Sequence, residues 1–128
     1  MAADSTRSFA IVEDQPDMCV LIRLALTRDP RLQAAGEASS ADEALALLDE
    51  CEPALIILDH SIEGEMMGLE AAPLLKAKAA GSKILLFTAH DMSGEAASEP
   101  AVDAFLRKDR IDQLLATAQR LLGLDPAA

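Results

Sequence analysis

Residues 54–59 read ALIILD, an apolar run from Ala54 to Leu58 that ends at an aspartate, and this stretch decides the fold prediction. Short apolar runs bounded by charged residues, Gly or Pro are typical of strands buried on both faces of a sheet. Leu32–Ala38 contains Gly36 and polar Gln33, which favours a strand at the edge of that sheet. Three further buried strands are predicted on the same grounds, at Phe9–Val12, Ile84–Phe87 and Val102–Leu106.

Segments with apolar residues at helical spacing separate the predicted strands. The segment Asp91–Pro100 is at best weakly helical, because it contains Gly94 and ends at a proline. Pro73 must lie near the first turn of its helix or kink it. Strand and helix alternate five times, which predicts a parallel sheet with helices on both faces, joined by right-handed crossovers. The other predicted helices are Pro16–Arg28, a helix opened by the capping box Ser40–Glu43, Leu69–Ala80 and Arg110–Leu122.

Composition narrows the class of protein. The length of 128 residues suits one domain, so a single domain is expected over residues 1–128, with a core from about 8 to 123. Hydrophobic residues make up 51% of the chain and aromatic residues only 2%, so the core must be aliphatic. Twenty-two acidic against 11 basic residues give a net charge of −11, which repels nucleic acids and anionic membranes. The apolar runs are too short for a membrane span or a signal peptide, which predicts a cytoplasmic protein.

Reactive side chains follow the predicted strands directly. Glu13 and Asp14 follow the first, Asp59 the third, Thr88 the fourth and Lys108 the fifth. Ligands of such sheets bind outside the carboxyl ends of the strands, where these side chains would meet. Three adjacent carboxylates repel one another unless a cation intervenes, and hard oxygen ligands suit Mg²⁺. A lysine and a hydroxyl could hold a phosphoryl group, which a carboxylate could accept covalently.

Four segments resemble the receiver domain of two-component response regulators. The resemblance covers nearly the whole chain, in the family's order and spacing. It implies a flavodoxin-like (βα)5 fold, a doubly wound five-stranded parallel sheet in the order 2-1-3-4-5. It also implies a signalling domain rather than an enzyme, one that catalyses only its own phosphorylation and dephosphorylation. Its phosphoryl donor would be a sensor histidine kinase or a phosphotransfer protein. The segments are Ile11–Asp14, Leu55–Asp59, Leu86–His90 and Ala104–Lys108.

The resemblance implies a role for each residue at the acidic end of the sheet. Asp59 would be the phosphoacceptor and a ligand of Mg²⁺, and Asp14 a direct ligand of the same ion. Glu13 would act on the metal mostly through water. The backbone carbonyl of Ser61, two residues after the acceptor, would complete the protein's share of the metal shell.

The same resemblance implies how a phosphoryl group would be bound and sensed. Thr88 and Lys108 would bind phosphoryl oxygens. Thr88 and Phe105 would form the switch, with the threonine moving toward the phosphoryl group and the aromatic ring turning inward behind it. The signal would leave through the face made by the fourth helix, fifth strand and fifth helix, to a second copy of the chain or to a downstream protein.

One departure from the family's pattern leaves alternatives open. The loop after the acceptor, His60–Gly68, carries one residue more than is usual before its glycine and lacks the usual Met-Pro pair. Whether this loop weakens Mg²⁺ binding stays open, as does a receiver-like protein-interaction module that is not phosphorylated. A phosphatase of the haloacid dehalogenase type is disfavoured, because that family needs a second aspartate where Ser61 stands. The kinase, the signal and any output domain are not specified by the sequence.

Overall fold

The fold is seen in a computed structural model that describes residues 6–126. Within that range five strands form one sheet in the order β2-β1-β3-β4-β5, and all neighbouring strands are parallel. This confirms the predicted doubly wound, flavodoxin-like fold and the edge position of β2. The strands are β1 Arg7–Val12, β2 Leu32–Ala38, β3 Leu55–Leu58, β4 Lys83–Thr88 and β5 Ala104–Arg107.

Four helices lie where helical spacing predicted them, with differences at their ends, and a short fifth, Ser93–Ala97, forms in the segment expected to be at best weakly helical. The last helix begins at Leu114 instead of Arg110, because Lys108–Gln113 forms a 3-10 helix in which Arg110 has non-helical dihedral angles. Pro73 lies in the second turn of its helix instead of the first, and it cannot donate a hydrogen bond to the carbonyl of Leu69. The helices are α1 Pro16–Leu26, α2 Ala41–Leu47, α3 Gly68–Lys78, α4 Ser93–Ala97 and α5 Leu114–Leu122.

Two aliphatic layers cover the sheet, one on each face. Residues Leu55 and Ile57 of β3 point into the layer under α1 and α5, where Cys19, Ile22 and Leu114 are buried. The alternate residues of the same strand point into the layer under α2, α3 and α4. This alternation explains why a continuous apolar run such as LIIL is required in the middle of the sheet. Among residues 6–126, no helix is long and apolar enough to cross a membrane.

Candidate functional site

The sheet brings the predicted site residues to its carboxyl edge. Glu13 follows β1, and its backbone N–H donates to the carbonyl of Ala38 at 2.8 Å. Asp59 follows β3, and its N–H donates to the carbonyl of Val12 at 3.0 Å. The parallel ladder therefore continues one residue beyond both strands, and it holds the two carboxylate-bearing backbones side by side.

Three carboxylates meet at this edge. One oxygen each from Glu13, Asp14 and Asp59 can be chosen so that all three lie within 4.8 Å of one another. Glu13 is 3% exposed and Asp59 4% exposed, whereas Asp14 is half-buried. Carboxylates this close and this poorly hydrated repel one another, so the arrangement favours a cation among them.

Lys108 supplies one positive charge to the cluster. Its Nζ lies 2.7 Å from Glu13 Oε1 as an ion pair and donates a hydrogen bond to Asp59 Oδ2 at 3.0 Å. Burial lowers the pKa of Lys108, but these two carboxylates outweigh burial and the pKa is raised overall. The sequence predicted Lys108 as a ligand for a phosphoryl group and missed its pairing with Glu13.

Burial has the opposite effect on Glu13. It raises the pKa of Glu13; the Lys108 ammonium offsets part of that rise, and the nearby charge of Asp59 adds to it. One carboxylate of the cluster therefore binds protons more readily than usual, as expected for acidic groups crowded together.

Three buried oxygen atoms at this edge make no hydrogen bond within the part of the chain that the structure describes. They are Glu13 Oε1, Asp59 Oδ1 and Thr88 Oγ1. Glu13 Oε1 has the Lys108 ion pair, but its geometry is not that of a hydrogen bond. A buried oxygen without a partner costs about 1–3 kcal/mol, so a ligand that supplies charge or hydrogen bonds here would be favoured. The two carboxylate oxygens among them are hard ligands of the kind that Mg²⁺ prefers.

The remaining predicted residues are Thr88, Phe105 and Ser61. Thr88 is the last residue of β4 and is fully buried. Phe105 in β5 pairs in register with Leu86 and packs, half-buried, on the layer under α2, α3 and α4. Ser61 is exposed in the loop after Asp59. Among residues 6–126, no hydrogen bond or ion pair joins these three side chains to the carboxylates.

The loop after Asp59 holds contacts that the sequence did not predict. The backbone N–H of Gly68 donates to the carbonyl of His60 at 2.8 Å, and the N–H of Leu69 donates to His60 Nδ1 at 3.2 Å. At the tip of the loop, the N–H of Glu63 donates to the carbonyl of Ser39 at 3.0 Å. The missing proline was the available signal, because a proline at position 63 would have no N–H to donate.

A family model described as the response regulator receiver domain matches residues 9–119. The nitrate/nitrite response regulator protein NarL of Escherichia coli strain K12 is 26% identical over 111 residues, which are 85% of this chain and 51% of NarL. NarP of the same strain is 30% identical over 112 residues, 86% of this chain and 52% of NarP. The chain spans about half the length of the curated relatives it matches.

Solved structures of response regulators are also similar to this chain. A LuxR-family two-component response regulator from Aurantimonas sp. SI85-9A1 has a TM-score of 0.80 at 27% identity, covering 94% of this chain and 88% of its own. The response regulator TrrA from Thermotoga maritima, solved in complex with Mg(2+)-BeF, also has a TM-score of 0.80 at 27% identity. That match covers 91% of this chain and 100% of TrrA.

Proposed function

The chain belongs to the response regulator receiver domain family, and from that premise we propose that it is a cytoplasmic phosphorylation switch whose acceptor is Asp59. The proposal rests on one observation above all. Asp59 Oδ1 is buried without a hydrogen-bond partner among residues 6–126, while Oδ2 of the same carboxylate is held by Lys108. One oxygen is thus oriented and the other is left to react.

The metal-binding residues follow from the same cluster. Asp14, Asp59 and the backbone carbonyl of Ser61 would hold Mg²⁺, and Glu13 would act on the metal mostly through water. Support comes from the three crowded carboxylates and from Asp59 Oδ1, which has no hydrogen-bond partner among residues 6–126. TrrA, solved in complex with Mg(2+)-BeF, lends further support. Bound there, Mg²⁺ would supply positive charge that offsets the negative charge of the carboxylates and of a phosphoryl group.

Phosphoryl transfer uses groups already oriented at the site. A carboxylate oxygen of Asp59 attacks the phosphorus of a phosphohistidine on a sensor kinase or phosphotransfer protein. An O–P bond forms, the P–N bond breaks, and its electron pair returns to the histidine nitrogen. Lys108 moves from the carboxylates to the phosphoryl oxygens, and the hydroxyl of Thr88 donates a hydrogen bond to them. Because Asp59 is only 4% exposed, neighbouring side chains must move before a donor reaches it.

Output passes through the face formed by α4, β5 and α5, to a second copy of the chain or to a downstream protein. The unpartnered hydroxyl of Thr88 is available to move toward a phosphoryl group, which leaves room for Phe105 to turn inward. Helix α4 has only five residues, Gly94 among them, and Ala96 is its one buried residue. The receiver occupies the chain as a single domain, and its chemistry is its own phosphorylation and dephosphorylation.

Intact-mass spectrometry tests the proposal. The protein is incubated with Mg²⁺ and a small phosphodonor such as acetyl phosphate. We expect the mass of one added phosphoryl group in the wild type and in a matched Asp49→Asn control, which changes an exposed carboxylate. Asp59→Asn should gain none. Labelling of Asp59→Asn to the wild-type level would contradict the assignment, and a wild type that is never labelled would favour a receiver-like module without phosphorylation.

A further inference from the structure

The loop that follows Asp59 is closed at its base by His60. The carbonyl of His60 accepts a hydrogen bond from the N–H of Gly68 at 2.8 Å. Its imidazole Nδ1 accepts a second from the N–H of Leu69 at 3.2 Å. These are the first two residues of α3, whose N–H groups have no partner within the helix. His60 therefore binds the start of α3 with both its backbone and its side chain.

Gly68 shows how closely α3 approaches the acceptor. A Cβ atom at this position would overlap the backbone carbonyl oxygen of Asp59 and lie 2.8 Å from the Cα of His60. The first residue of α3 thus packs directly against the Asp59–His60 peptide. The contact between His60 and α3 therefore acts on the chain immediately before Ser61.

We propose that His60 is a positioning residue for the metal site, acting through the hydrogen bond from Leu69 to its imidazole. This inference rests on the proposed function, in which the carbonyl of Ser61 is a ligand of Mg²⁺. The Nδ1 acceptor helps to hold the backbone that leads from Asp59 to Ser61, together with the hydrogen bond from Gly68 to the His60 carbonyl.

Two further contacts hold the loop independently of His60. Ile62 is buried in the layer under α2, α3 and α4, and the N–H of Glu63 donates to the carbonyl of Ser39 at 3.0 Å. The loop is therefore anchored at its middle as well as at its base. Loss of the imidazole acceptor loosens the backbone around Ser61 without detaching the whole loop, and Mg²⁺ binding is weakened rather than abolished.

The experiment measures the Mg²⁺ dissociation constant by isothermal titration calorimetry in wild type and four variants. His60→Ala removes the acceptor, and His60→Leu removes it while keeping side-chain bulk, in case the smaller residue impairs folding. His60→Asn restores an acceptor at similar reach. His90→Ala is the matched control, because His90 is an exposed histidine at the end of another strand. Amide hydrogen exchange of Leu69 and thermal unfolding without Mg²⁺ are recorded for each protein.

The expected pattern separates positioning from a purely structural role. His60→Ala and His60→Leu should bind Mg²⁺ about 3- to 10-fold more weakly, the range expected for one lost hydrogen bond, with faster exchange at Leu69. His60→Asn and His90→Ala should stay within about 2-fold of wild type. An unchanged dissociation constant in the acceptor-free variants overturns the inference alone, even if they melt at lower temperature, and so does failure of His60→Asn to restore binding. A wild type that binds no Mg²⁺ overturns the proposed metal site and this inference with it.

Discussion

Replacing Lys108 by Met should strongly destabilise the metal-free protein. The ammonium group of Lys108 is the cation that faces Glu13 and Asp59, at 2.7 and 3.0 Å, and its side chain is 13% exposed. Met keeps most of the apolar stem and removes the charge, so packing is largely retained. The variant therefore isolates the electrostatic contribution of the ammonium group.

The size of the effect follows from the distances in the site. Two carboxylate oxygens at 4.8 Å repel by about 3–4 kcal/mol at an effective dielectric constant of about 20. Removing one partner of a buried ion pair costs about 3–5 kcal/mol. Because the Lys108 side chain is 13% exposed and water can partly replace its charge, we expect the lower end of that range, about 3 kcal/mol, at mildly alkaline pH, where Glu13 is least protonated.

The stability that Lys108→Met loses relative to wild type should increase as pH rises. The pKa of Glu13 is raised above 4.5 in the folded protein, so the stability linked to its protonation is fully present below pH 4.5 and is lost as pH rises through the folded-state pKa. Lys108 lowers this pKa. Without Lys108 the pKa of Glu13 is higher, and Glu13 stays protonated up to a higher pH. The free energy of unfolding of Lys108→Met should therefore approach that of wild type near pH 4.5 and fall away from it as pH rises.

Urea unfolding followed by circular dichroism, without Mg²⁺ and at several pH values, measures this difference. The matched control is Lys78→Met, which breaks the ion pair of Lys78 with Asp49, whose side chains are 35% and 64% exposed. An exposed pair of this kind contributes less than about 1 kcal/mol. If Lys108→Met loses no more stability than Lys78→Met at mildly alkaline pH, Lys108 does not hold the carboxylates together and the electrostatic reasoning is wrong.

Three further predictions follow from the same geometry. Asp14→Asn should raise the free energy of unfolding of the metal-free protein by about 0.5–1 kcal/mol, because one of the crowded like charges is removed. In thermal melts the variant should no longer be stabilised by Mg²⁺. A metal-free variant less stable than wild type would refute the crowding of the carboxylates. Gly68→Ala should cost about 1–3 kcal/mol in urea unfolding, because its Cβ would overlap the Asp59 carbonyl. The control Gly81→Ala, where a Cβ meets nothing within 4 Å, should stay within about 0.5 kcal/mol of wild type, and equal costs would argue against the close approach. Beryllofluoride with Mg²⁺ should change amide hydrogen exchange in α4 and β5; changes confined to the loop after Asp59 would exclude that output route.

The fold could be predicted because, in a parallel sheet, a strand buried on both faces must be apolar at every position, and such short apolar runs are visible in the sequence. The run from Ala54 to Leu58 must be apolar on both faces, and it differs from the observed β3 by one residue at its start. The bounds of β2 were predicted as observed, since Gly36 and polar residues are tolerated at an edge. The ends of the helices were harder to predict. From Lys108 the chain first forms a 3-10 helix, which the spacing of apolar residues does not reveal.

The sequence predicted which residues form the candidate site, but it did not predict how their side chains contact one another. Strand ends alone bring Glu13, Asp14 and Asp59 together, and the structure confirms that convergence. The pairing of Lys108 with Glu13 depends on side-chain direction, which the position of a residue after a strand does not specify. The contact of His60 with α3 depends on the length of an irregular loop, for which the sequence has no periodic signal.

The acceptor itself can be identified by reductive trapping. The protein is incubated with Mg²⁺ and acetyl phosphate and then treated with borohydride, which reduces an aspartyl phosphate to homoserine. Peptide mass spectrometry locates the modified residue. We expect homoserine at position 59 and at no other aspartate, and none when the phosphodonor is omitted. Homoserine at Asp14, or phosphate retained on His60 or His90 with Asp59 unchanged, would contradict the assignment of Asp59 as the phosphoacceptor.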